Sequence, residues 1–105
     1  MKSLIYYLAL IAVAIAPVAH SAAPMKALII DGQNNHGMWP KTTVMMKKYL
    51  EDSGLFTVDV KRTAFTWQGA DLIPKFPVNL DIETTALKEP KPDPNYAPDF
   101  SKYDV

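Results

Sequence analysis

The chain has no cysteine among its 105 residues. That excludes disulfides and a cysteine-linked lipid anchor. Glycine is scarce, with four residues, and neither a G-x-G-x-x-G nor a Walker A pattern occurs, so no nucleotide cofactor is indicated. Neither sign of charge dominates: eleven Lys and Arg stand against eleven Asp and Glu. Without a basic patch to neutralise phosphates, a nucleic-acid function is not expected. Histidine is limited to His20 and His36, and no H-x-x-x-H or HExxH spacing is present. Zinc asks for three or four well-placed N, S or O ligands, so no metal site is expected.

What is present begins with a leader. "MKSLIYYLALIAVAIAPVAHSAAP" has Lys2 at its head, an apolar run from Leu4 to Ala19, and then small residues. This is the layout of a secretory signal peptide spanning residues 1–22, with cleavage after Ser21 or Ala22 and export to the periplasm or the extracellular space. The run has 16 residues. A membrane span needs about 20, and no basic stop-transfer cluster follows, so no stable membrane anchor is expected. Without the leader, ten basic residues face eleven acidic ones, for a net charge of −1.

The mature part opens with "KALIID", Lys26 to Asp31, a short apolar run ending in a turn signal. Such a run predicts a strand covered on both faces, as in a parallel sheet. A polar loop follows from Gly32 to Lys41. The next pattern predicts a helix from about Thr43 to Ser53, capped by Thr42 or Thr43, with Met45, Met46, Tyr49 and Leu50 as its apolar stripe. Gly54 sits where a left-handed residue ends a helix, with Leu55 placed to touch Leu50. "FTVDVKR", Phe56 to Arg62, alternates apolar and polar residues and predicts a second strand. Strand, helix and strand make one βαβ unit.

Six of the nine prolines fall between Thr63 and Asp99. Each removes a backbone donor and restricts its predecessor, so this stretch is expected to be extended or turn-like. Phe65, Trp67 and Phe76 within it are expected to form a lid packed on the sheet. Tyr103 and Val105 begin what reads as a third strand. One helix leaves one face of a parallel sheet bare, so residues 26–105 are expected to be the N-terminal portion of a longer domain.

Three stretches, "KALIIDGQNNHGMWPKTT", "LEDSGLFTVDV" and "PDFSKYDV", resemble the opening of ThuA-like proteins, the trehalose-utilisation family. The resemblance covers about residues 26–62 and 98–105 and leaves out the proline-rich insert. It implies a fold similar to class I glutamine amidotransferases: an α/β, flavodoxin-like doubly wound parallel sheet, here represented by the βαβ unit and the start of a third strand. It also implies a domain that binds or acts on a carbohydrate or sugar derivative; the expectation of export comes from the leader. In the amidotransferase relatives a nucleophilic cysteine stands on a later elbow, beyond this stretch. A non-catalytic binding module and a truncated product without independent function are the competing readings.

In open α/β sheets ligands sit outside the carboxyl ends of the strands, which is where the loop from Gly32 to Lys41 would lie. His36 is the candidate acid, base or metal ligand. Gln33, Asn34 and Asn35 are candidate hydrogen-bonding groups for sugar hydroxyls. Asp31 is a candidate ligand contact or an acceptor of loop amide bonds, and Trp39 a candidate stacking surface or a closure of the loop over the core. Thr42 and Thr43 are expected to contribute free backbone N–H groups at the helix N-terminus.

Overall fold

The computed structural model describes residues 22–105. The expected leader lies almost wholly outside the described residues. Among them, no helix is long and apolar enough to cross a membrane. The elements are β1 (Met25–Gln33), α1 (Trp39–Asp52), β2 (Phe56–Trp67) and β3 (Thr85–Leu87), with single 3-10 turns at Ala70–Leu72 and Phe100–Lys102. All pairings are parallel, in the order β1-β2-β3, so the chain is a mixed α/β protein with a βαβ arrangement.

The core lies between α1 and the facing side of the first two strands. Ala27 stands opposite Val58 and Ile29 opposite Val60 in the parallel register. Ala27, Ile29 and Val58 are buried, and Leu50, Phe56 and Val60 pack around them. The alternation in "FTVDVKR" therefore reads correctly: its apolar members line the helix side, while Thr57, Asp59 and Lys61 are exposed.

Four expectations need correction. First, α1 begins at Trp39, ahead of Thr43, with Met38 at the cap position. Pro40 is accommodated in the first turn, where its missing N–H would have no intrahelical partner anyway. The Thr42 N–H is taken by the Met38 carbonyl at 3.1 Å. Thr42 and Thr43 therefore neither cap the helix nor offer its free N–H groups.

Second, the inward stripe of α1 is not the methionine stripe. Met45, Met46 and Tyr49 are 39, 46 and 63% exposed. The buried positions are Trp39, Pro40 and Thr43, with Leu50 reaching the core. Lys47 shares this face: its stem runs over the sheet edge and its Nζ donates to the Val58 carbonyl at 2.7 Å.

Third, β2 does not stop at Arg62 but runs through Trp67, so Phe65 and Trp67 are strand residues and not parts of a lid. The register shifts where Gly32 stands: Asp31 faces Arg62, then Gln33 faces Trp67. A Cβ on Gly32 would meet the Thr63 Oγ1 at 2.5 Å, and its φ is +120°. The irregular spacing hides the strand from a period-two reading.

Fourth, the third strand of the sheet is Thr85–Leu87, on the far side of β2. The expected start at Tyr103–Val105 forms no strand of its own, yet it lies along the opposite edge of β1. Val105 N–H donates to the Lys26 carbonyl at 3.3 Å, and Leu28 N–H donates to the Val105 carbonyl at 2.8 Å. That bracketing is the spacing of a parallel ladder.

The helix ends as expected at Gly54, whose φ is +72°. Its N–H donates to the Glu51 carbonyl at 3.0 Å. The Ser53 hydroxyl then accepts from Leu55 N–H at 3.2 Å and donates to the Leu50 carbonyl at 2.5 Å, bridging the two groups. Leu55 itself is 60% exposed. Glu51 and Asp52, unfavourable at this end of the helix dipole, are paired with Lys47 and Lys48 one turn back.

Candidate functional site

The site is built where β1 and β2 end and α1 begins. On β1 the helix-facing positions run Ala27, Ile29, Asp31; on β2 they run Val58, Val60, Arg62. The two apolar rows thus terminate in a carboxylate facing a guanidinium. Asp31 Oδ1 accepts from Arg62 Nε at 2.8 Å, and Oδ2 accepts from Arg62 Nη2 at 2.8 Å. The Thr43 hydroxyl adds a third bond to Oδ2 at 2.8 Å. The Arg62 side chain is 3% exposed and that of Asp31 5%. Bidentate geometry and a third donor are what a buried ion pair needs to offset its lost hydration.

Trp39 closes the network from above. Arg62 lies over its ring, 4.9 Å from the centroid, an arrangement favourable for both. The indole N–H donates to the Gln68 carbonyl at 2.8 Å. That carbonyl belongs to a left-handed turn, Gln68 at φ 51° and Gly69 at φ 66°. A Cβ on Gly69 would stand 2.1 Å from the Gly37 carbonyl oxygen, so the loop after β2 packs directly against the loop after β1. Trp39 is 5% exposed. Its faces are engaged internally, and the stacking role expected of it is not open to a ligand in this arrangement.

The loop above the network is a set of tight turns. Asn34 Oδ1 accepts the His36 N–H at 2.8 Å, and the His36 carbonyl accepts the Trp39 N–H at 3.2 Å. The side chains of Asn34, Asn35 and His36 are exposed. Thr42 is exposed, with its hydroxyl turned back to the Met38 carbonyl at 3.3 Å. Gln33 exchanges two bonds with the backbone of Lys91, at 2.6 and 3.1 Å. Beside the loop is a hollow of about 150 Å³, bounded by Ile30, Asp31, Asn34, Thr42 and Met46 among others. The structure therefore gathers all six expected residues at one end of the sheet, but divides them. Asp31, Thr43 and Trp39 are committed to the scaffold, while Asn34, His36 and Thr42 face outward.

The proline-rich stretch is held over the same end. The Ala64 N–H donates to Asp93 Oδ2 at 3.1 Å, and the Trp67 indole to the Lys88 carbonyl at 3.3 Å. Lys91 Nζ sits 5.3 Å above the Phe65 ring. The Tyr96 hydroxyl donates to the Lys61 carbonyl at 2.6 Å. Burial, reinforced by the charge of Asp31, pushes the Tyr96 phenol above its ordinary range.

Arg62 is the residue the sequence reading passed over. The signal was there: it continues the parity of Phe56, Val58 and Val60, and a cation in line with an apolar row needs a buried anion. Asp31 meets that need, at the same parity of the first strand. Gln68 carries no such signal, because its role lies in a backbone carbonyl. Among the described residues, no group of three or more His, Cys, Asp or Glu side chains is placed to hold a metal ion. Comparison with known proteins finds no matching family model, no matching curated protein and no matching solved structure.

Proposed function

We propose that this end of the sheet binds a small oxygen-rich ligand, a sugar or sugar derivative, in an exported ThuA-like domain of flavodoxin-like architecture. The observation that carries the reading is the pairing of an outward polar rim with a rigid base. Asn34, Asn35 and His36 are presented by a loop that the Asp31–Arg62–Trp39 network fixes from beneath. Preorganised donors and acceptors lose little entropy on binding.

Topology supports the same reading. In a doubly wound sheet of this kind the first strand has neighbours on both sides, and ligands bind at the switch point between it and the strand opposite β2. The hydrogen bonds of Val105 fall on that side of β1, and the 150 Å³ hollow opens beside the carboxyl end of β1, between that strand and α1. His36 is the acid–base or hydrogen-bonding group, Asn34 donates through its free amide, and Thr42 lines the hollow.

The size of the hollow favours a second reading, a binding module without turnover. Pockets that enclose small-molecule ligands hold about 300–1,000 Å³, so this one takes a single polar group or ring edge and not a whole disaccharide. A panel of mono- and disaccharides, followed by NMR on the His36 ring protons and the Asn34 side-chain amide, tests both readings. Saturable shifts lost in His36→Ala support the site, and accompanying sugar turnover selects the enzyme over the module. Unchanged spectra across the panel refute it.

A further inference from the structure

We propose that residues 78–82 are a strap that closes onto β2, extending β3 toward its N-terminus. In β3 each residue stands opposite the one twenty positions earlier: Thr85 with Phe65, Ala86 with Thr66, Leu87 with Trp67. Upstream, two hollows separate the chain from β2. One, of about 420 Å³, is lined by Val58–Val60 and by Val78–Leu80, together with Lys47 and Tyr103. The next, of about 140 Å³, has Val60–Arg62 facing Leu80–Ile82. The offset of twenty is kept, so the segment already runs beside β2 in the register of β3. Among the described residues no hydrogen bond joins the two.

The segment is built as a strand. Val78, Leu80 and Ile82 alternate with Asn79 and Asp81, and no proline or glycine occurs between Pro77 and Pro90. Along β2 the ladder to β1 uses the odd-numbered residues, as the bond from Met25 N–H to the Leu55 carbonyl sets its phase. Val58 and Val60 therefore turn their peptide groups outward, to the hollow. Lys47 occupies the Val58 carbonyl, and among the described residues the groups of Val60 meet no protein partner on that side. Closure gives Val60 N–H the Asn79 carbonyl and gives the Val60 carbonyl the Asp81 N–H. It covers an edge that otherwise invites pairing with another chain, and it lays Ile82 along Arg62 beneath the candidate site.

Because the chain has no cysteine of its own, introduced pairs report on this directly. In the full chain, the double variant Lys61→Cys, Asp81→Cys should oxidise at least about 10-fold faster than Lys61→Cys, Glu83→Cys, because a disulfide needs Cα atoms within roughly 7 Å and only the in-register pair reaches that. Lys47→Met, which frees the Val58 carbonyl, should speed the in-register pair further. In the unsubstituted chain, amide exchange should alternate along the strap, with Asp81 N–H slow and Leu80 N–H fast. Equal oxidation of the two pairs overturns the proposal. So does uniform fast exchange from Val78 to Ile82, which decides the matter even if the cysteine variants fail to fold.

Discussion

The two coverings of the sheet are unlike. On one face α1 packs Leu50 against Ala27, Ile29 and Val58, an apolar contact that ends in the buried Asp31–Arg62 pair held by Thr43. The rest is covered by residues 88–103, which have no strand or helix beyond one 3-10 turn and are held by polar pins: Gln33 to Lys91, Asp93 to Ala64, Tyr96 to Lys61, Tyr103 to Asp59. A helix satisfies its own backbone and can spend its side chains on packing. A proline-rich chain makes no ladder, so the sheet must supply its partners one at a time. The helical side should therefore fail as a unit, and the pinned side piecemeal.

Breaking the buried pair should have the largest effect. Arg62→Met leaves the Asp31 carboxylate buried without its partner and should cost about 3–5 kcal/mol, read by urea denaturation. The double variant Asp31→Asn, Arg62→Met should recover part of that loss. A cost below about 1 kcal/mol, the range of exposed pairs, would mean that the network is wet and the contrast between the coverings false.

Trp39→Phe is the next step down. It keeps most of the packing and loses the indole bond to the Gln68 carbonyl, for about 1 kcal/mol. The loop from Asn34 to Met38 should then exchange its amides faster while α1 stays protected. Equal loosening of both would deny that the indole links the two loops.

A single pin should matter less. Tyr96→Phe should cost about 0.5 kcal/mol, since its hydrogen bond is partly open to water. The pins also predict alkaline lability. Burial raises the Tyr96 phenol, and the hydrogen bond that the Tyr103 hydroxyl donates to Asp59 at 2.8 Å raises the Tyr103 phenol. A group raised in the folded state stabilises fully below its unfolded pKa near 10 and loses that contribution as pH climbs through the folded value. Stability should therefore fall above pH 10. In Tyr96→Phe with Tyr103→Phe the fall should be shallower; an identical slope would remove the pins as its cause.

The smallest expected effect on stability is at the proposed site. His36→Ala should change the unfolding free energy by less than about 0.5 kcal/mol, as for other exposed positions. It should nevertheless abolish any saturable sugar response. A large loss of stability would make His36 a structural residue.

Local patterns carried much of this architecture. The apolar run of β1 as a strand, the alternation of "FTVDVKR" and the Gly54 stop each depend on neighbours within a few residues, and each reads correctly. The expected covering of β1 on both faces does not, for Ile30 is 53% exposed. The start of α1 does not, because Pro40 hides a first turn that is anchored by Trp39, and the indole's partner lies 29 residues away. The Met45–Tyr49 stripe misleads for a related reason: apolar spacing alone cannot say which side of a helix meets the sheet. At the candidate site, the gathering of the six residues at the carboxyl end of β1 was legible, but the expected extent of the loop was not. β1 runs to Gln33 and α1 starts at Trp39, so only Asn34 and His36 of the six stand in the loop. The division of the six into base and rim was not legible either.

Composition and periodicity by themselves determined that this is an α/β chain with a βαβ core and a polar loop at the carboxyl end of β1. They did so because strand and helix periods are properties of the local backbone. The tertiary structure decided that Asp31 belongs to Arg62, that Trp39 is a clamp and that the sheet's third strand is Thr85–Leu87. Each of those depends on groups 19 to 31 residues apart in the chain meeting in space, and no local period encodes which distant partner a buried charge, an indole or a strand edge will find.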